Sequence, residues 1–152
     1  MMTGERRCGR VDKRIVIVTH GGFSEGILSS LRMVAGDIGP IECITAYVDK
    51  DVDYQAEFRR IVSEHDYSKA ELLVLTDVLG GSVNNEFMQL LAEYPFHLVT
   101  GINFALLLEI GMCPAEELVE SLPRIVSAAR EHIVLCDTLL GEGDEEDEGN
   151  SF

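Results

Sequence analysis

Two rhythms alternate along this chain. Short runs of apolar, β-branched residues give way to stretches whose apolar residues return every third or fourth position. The first run, Ile15-Val16-Ile17-Val18-Thr19, passes straight into His20-Gly21-Gly22. An uninterrupted apolar run suits a strand covered on both faces, as in a parallel sheet. It predicts a strand over 14–19 and then a helix over 24–35, whose inner face is Ile27, Leu28, Leu31, Val34 and Ala35. Ser24 is the expected N-cap and Gly36 the stop. The pattern repeats as a strand over 41–48, an acidic loop over 49–53 and a helix over 54–65. Tyr54, Phe58, Ile61 and Val62 face inward there, and Arg59 and Arg60 outward. A third strand is expected over 71–76 and a third helix over 82–93, burying Val83, Phe87, Leu90 and Leu91. A fourth strand over 96–100 precedes a helix over 104–110 that is apolar on most sides and needs more cover than a surface helix. Pro114 opens a fifth helix, which Pro123 splits or kinks before it ends near Arg130. Residues 132–139 read as a last strand.

Strand–helix units in series imply a three-layer α/β/α fold around a mainly parallel sheet. Right-handed crossovers leave few topologies, and the order 2-1-3-4, plus an antiparallel C-terminal strand, satisfies them. In that order the first and third strands are neighbours where the winding reverses, and ligands of open α/β sheets sit at such a point. His20 and Asp77 end those strands, 57 positions apart in the chain.

That pairing has a chemical meaning. An imidazole is a nucleophile near neutral pH when one nitrogen is unprotonated. A carboxylate that accepts the Nδ1 proton leaves the other nitrogen free to attack and stabilises the charged ring that follows. Asp77 is placed for that role. Gly80-Gly81-Ser82 opens the third helix, and Gly21 and Gly22 lie before the first. Amides at glycine-rich helix starts, with a serine hydroxyl, suit an anion. The set points to a phosphorylated histidine, with Gly21, Gly22, Gly81 and Ser82 as the phosphoryl-binding candidates. His65, His97 and His132 lack such a setting and read as structural or surface residues. Asn84, Asn85 and Asn103 either start helices or line the site. No third ligand completes a metal site, and no cofactor is expected.

Composition narrows the partners. With 152 residues and 46% hydrophobic residues the chain can build one domain with a real core. Its net charge is −15, and without the six acids of residues 142–148 there are still 21 acids against 12 bases. An acidic body argues against nucleic acid and would attract a basic partner surface. No apolar run is long enough to span a bilayer, and no secretory signal is read. Cys8, Cys43, Cys113 and Cys136 show no zinc or disulfide spacing, which fits a reducing cytoplasm. Residues 1–13 read as a disordered basic extension, 14–140 as the domain, and 141–152 as a disordered acidic tail.

Three stretches carry a resemblance. Residues 17–28, Ile-Val-Thr-His-Gly-Gly-Phe-Ser-Glu-Gly-Ile-Leu, resemble the opening of mannose-class enzyme IIA proteins of the bacterial phosphoenolpyruvate-dependent sugar phosphotransferase system. Residues 76–85 resemble that family's second motif and residues 99–109 its third, in matching order and spacing. The resemblance implies that His20 accepts a phosphoryl group from the phosphocarrier HPr and passes it to a IIB component. Asp77 matches the carboxylate partner and Ser82 the serine of the phosphoryl pocket. It also implies a cytoplasmic homodimer with an exchanged last strand, and contact with the membrane only through IIC and IID components. Val83 stands where relatives commonly carry proline, and Phe104-Ala105 replaces a frequent Leu-Pro. The alternative is a regulatory phosphohistidine module that controls a partner protein or kinase, as in the relative serving dihydroxyacetone kinase. A histidine phosphatase or mutase fits less well, because Thr19 stands where that class usually places arginine.

Overall fold

The computed structural model describes residues 12–141, and the first apolar run lies at its centre. β1 (Asp12–His20) pairs in parallel with β2 (Glu42–Ala46) on one side and β3 (Ala70–Thr76) on the other. β4 (His97–Thr100) pairs in parallel with the far side of β3, so the sheet order is β2-β1-β3-β4. This is the expected topology.

Alternation along the strands divides the core in two. Ile15, Ile17, Leu73 and Leu75 point to one face, where α1 (Phe23–Ala35), α4 (Phe104–Met112) and α5 (Leu118–Arg130) cover them. Val16, Val18, Leu72 and Val74 point to the other, under α2 (Tyr54–Ser63) and α3 (Ser82–Leu90). Side chains on a strand alternate between faces, so a strand that must feed two cores is apolar at every position. The three-layer expectation follows from this.

Several boundaries differ from the sequence reading, each for a local reason. β1 starts at Asp12, taking in two residues assigned above to the N-terminal extension; residues 1–11 and the tail from 142 lie outside the described residues. Ser24 is not the N-cap of α1. Gly22 holds that place, and the Thr19 hydroxyl accepts the Ser24 N–H at 2.8 Å, supplying the oxygen that glycine lacks. The Ser24 hydroxyl instead donates to the Ile44 carbonyl at 3.2 Å, fastening α1 to β2. β2 stops at Ala46 because Tyr47 turns into the left-handed region, φ 66°. α2 is capped by Asp53 of the acidic loop, whose carboxylate accepts the Ala56 N–H. α3 ends at Leu90, which leaves Leu91 exposed.

α5 runs unbroken through Pro123. The proline is exposed, and its ring costs the Val119 carbonyl its helical partner without ending the helix. Residues 132–140 do not form the expected fifth strand. They are exposed, with a 3₁₀ turn at Cys136–Leu139, and pair with no strand among the described residues. A strand requires a hydrogen-bonding neighbour, and the described residues of one protomer supply none here.

Lys13 shows what the extended β1 contributes. Its ammonium donates to the carbonyls of Ile110, Gly111 and Cys113, gathered at the end of α4. Burial pushes its pKa down, against the opposing pull of Cys113. Lys13→Met keeps the stem and removes the donor. It is expected to lower stability by about 1.5–3 kcal/mol, the usual worth of hydrogen bonds to a charged group. Chemical denaturation should show an earlier midpoint with an unchanged slope.

Candidate functional site

The carboxyl ends of β1 and β3 meet as the topology requires, and the loops after them close on one imidazole. His20 is the last residue of β1, with its side chain 44% exposed. Gly21 takes φ 59°, a turn that suits a residue without a Cβ, and its N–H donates to Ala46 at 3.0 Å. That bond holds the exit of β1 against β2.

Asp77 grips His20 twice through one oxygen. Oδ2 accepts the His20 backbone N–H at 2.9 Å and the imidazole Nδ1–H at 2.7 Å. Oδ1 accepts the Val78 N–H at 3.0 Å. Burial pushes the Asp77 carboxyl up, but the His20 backbone and ring N–H groups outweigh it and hold the pKa below the ordinary carboxylate value. An ionised carboxylate only accepts, so the proton of the neutral ring sits on Nδ1. Nε2 then carries a lone pair, and the Ser82 hydroxyl lies 3.2 Å from it.

Gly81 makes this closeness possible. A Cβ there would stand 2.8 Å from Val78 Cγ1 and 3.4 Å from His20 Cε1. Its own N–H donates to the Val78 carbonyl at 3.1 Å. The backbone N–H groups of Gly21 and Gly81 are therefore engaged, and both glycines serve by shape. The first amides of α3, from Ser82 onward, have no acceptor within their helix, and Ser82 is the residue of that helix start whose hydroxyl reaches Nε2.

The remaining candidates separate from this cluster. Asn84 is buried and accepts the Thr76 hydroxyl at 2.8 Å, tying α3 to β3. Asn85 donates to the Gly80 carbonyl. Asn103 caps α4 and donates to Ala129. His65 meets the Ala70 carbonyl and His97 meets Glu71, so neither belongs to the site. Among the described residues no group of three His, Cys, Asp or Glu side chains could hold a metal ion. Sequence reasoning missed Tyr47, whose ring packs 5.5 Å from the imidazole. The only signal was an aromatic residue just past the strand that neighbours His20.

The chain has known relatives. A sequence model of the family described as "PTS system fructose IIA component" matches residues 14–127. The chain belongs to that family. IIA components of this kind also appear among solved structures of similar fold. A candidate permease of the phosphoenolpyruvate-dependent sugar phosphotransferase system from Klebsiella pneumoniae superposes with a TM-score of 0.78 and 31% identity, over 86% of this chain and 96% of that one. The phosphotransferase system component EIIA from Streptococcus agalactiae gives 0.65 and 31%, over 82% and 98%. The PTS IIA protein associated with the fucose utilization operon of Streptococcus pneumoniae gives 0.71 and 26%, over 86% and 97%. The chain is thus a IIA-family component of sugar phosphotransfer, built as one α/β unit.

Proposed function

We propose that His20 accepts a phosphoryl group from HPr on Nε2 and hands it to a IIB component, serving sugar uptake and phosphorylation. The 2.7 Å bond between Asp77 Oδ2 and Nδ1 carries this reading, because it leaves the lone pair on the exposed nitrogen. In the forward step the Nε2 lone pair forms the bond to phosphorus as the bond from phosphorus to HPr breaks. The ring becomes cationic, and the Asp77 carboxylate faces that charge. The Ser82 hydroxyl, displaced from Nε2, donates to a phosphoryl oxygen beside the open amides of α3. Transfer to IIB reverses these movements. The acidic body suits a basic docking surface on either partner. No described helix is long and apolar enough to cross a membrane, and contact with the bilayer passes through IIC and IID components of a cytoplasmic relay.

Incubation with phosphoenolpyruvate, enzyme I and HPr, followed by intact mass, tests the reading. One phosphate per chain is expected, released on addition of the cognate IIB. An unmodified chain beside phosphorylated HPr would overturn it.

The same reading includes a homodimer. Ile133, Leu135 and Leu140 are exposed, and β4 has a strand neighbour on one side only among the described residues. A groove of about 470 Å³ runs along that edge, lined by His97, Leu98, Val99, Pro123 and Val126. An extended segment of a second copy would pair with β4 and cover these surfaces. Sedimentation should give a dimer for the wild type and a monomer for Ile133→Asp/Leu135→Asp. A wild-type monomer at the same concentration would remove the dimer from the reading.

A further inference from the structure

Tyr47 stands outside every role assigned so far, yet its backbone is the exception of the fold. It is the one non-glycine residue with positive φ among those described, at 66°. A bulky aromatic side chain seldom takes that conformation, and it persists only where its surroundings impose it. Burial does not repay the strain, because the residue is still 47% exposed.

The conformation instead delivers the ring to His20. Tyr47 follows Ala46, which stands opposite His20 in the β1–β2 ladder. Its ring centroid lies 5.5 Å from the imidazole, the planes tilted by 43°. Behind it Tyr54 packs edge-on at 5.3 Å, and the Tyr54 hydroxyl accepts the Asp49 N–H at 3.2 Å, closing the turn around the ring. Tyr54 leans in turn on Phe58, which is buried and stacked on Phe87. The imidazole is therefore backed by an aromatic chain rooted in the core.

We propose that Tyr47 is a positioning residue for His20, its ring holding the imidazole plane in the attitude in which Nε2 meets phosphorus. The proposal rests on the phosphotransfer reading and deepens it. Two hydrogen bonds orient the resting ring, from Asp77 at Nδ1 and from Ser82 at Nε2. The second ends with the chemistry, because its lone pair becomes the bond to phosphorus. A ring held at Nδ1 alone can swing about that contact, and Tyr47 supplies the restraint that survives phosphorylation. The effect comes from the ring, not the hydroxyl.

The test compares wild type, Tyr47→Phe, Tyr47→Gly and Tyr47→Asn in phosphorylation by phospho-HPr, with thermal midpoints alongside. Glycine and asparagine both tolerate the left-handed backbone, so neither loses stability through strain. The ringless variants should lose roughly ten- to a hundredfold in kcat with KM nearly unchanged, the signature of a misplaced reacting group. Their midpoints should not fall, and Tyr47→Phe should match wild type. In carbon-detected spectra of the unphosphorylated chain, the His20 ring signals should shift and broaden in Tyr47→Gly. An unchanged kcat, a rise in KM alone, a fall in both midpoints, or unmoved ring signals would each overturn the proposal. Absence of phosphate on the wild type would instead overturn the phosphotransfer reading, while the ring signals still report on Tyr47.

Discussion

His20→Ala takes up no phosphate from phosphoenolpyruvate, enzyme I and HPr, and its fold survives. The expected loss is complete because no other described histidine has the same equipment. His65 and His97 are committed to Ala70 and Glu71. Stability should change by less than about 1 kcal/mol, as for other half-exposed residues outside the core. The His20 backbone N–H still donates to Asp77 in the variant, so one of the two hydrogen bonds between these residues remains beside the β1–β3 ladder. Intact mass with and without the carrier proteins, and a thermal midpoint, check both halves. Phosphate on His20→Ala at the wild-type level would move the acceptor elsewhere.

Asp77→Asn should be the second most damaging change, and it damages two properties together. The carboxylate accepts three N–H groups, two at Oδ2 and one at Oδ1. An amide has one accepting end. If its NH₂ faces Val78, one amide loses its acceptor. If it faces His20, the backbone N–H loses its acceptor and Nδ1 must accept instead, which moves the ring proton to Nε2 and blocks attack. Either placement costs about 1–3 kcal/mol for an unsatisfied group. Transfer should slow by roughly 10²–10⁴-fold, the range for a lost acid–base or orienting partner. A wild-type rate for Asp77→Asn would remove Asp77 from the mechanism.

The pH dependence of stability follows from the same carboxylate. Asp77 binds its proton less readily in the folded chain than in the unfolded one. Its contribution is therefore present above the unfolded carboxylate value, about 3.9, and is lost as pH falls through the lower folded value. Wild type and Asp77→Asn should differ most in stability near neutral pH and converge in strong acid. A gap that stays constant down to that range would show that the charge on Asp77 does not matter.

Much of the fold was legible because its signals are local. The run from Ile15 to Val18 had to be covered on both faces, and the face formed by Phe58, Ile61 and Val62 had to meet a sheet. The site was legible for a topological reason: strand order 2-1-3-4 leaves the ends of β1 and β3 side by side. Errors fell where a residue's partner is distant. Lys13 looked like part of a charged extension, yet its acceptors lie almost a hundred positions away at the end of α4. Pro123 suggested a break, but it lies on the exposed face of α5 and the helix continues through it. The apolar run after Arg130 carried a strand pattern without a pairing neighbour among the described residues.

The amino-acid sequence by itself determined the α/β architecture, the two-sided core and the candidacy of His20 and Asp77, since hydrophobic period and glycine placement act over a few residues. Tertiary structure alone decided which atoms touch: that one Asp77 oxygen serves both ring and backbone, that Gly81 yields its Cβ space to Val78 and the imidazole, and that Tyr47 bends left-handed to reach His20. Those contacts depend on where packing sets the strand ends in space, and no local pattern encodes a distance between loops.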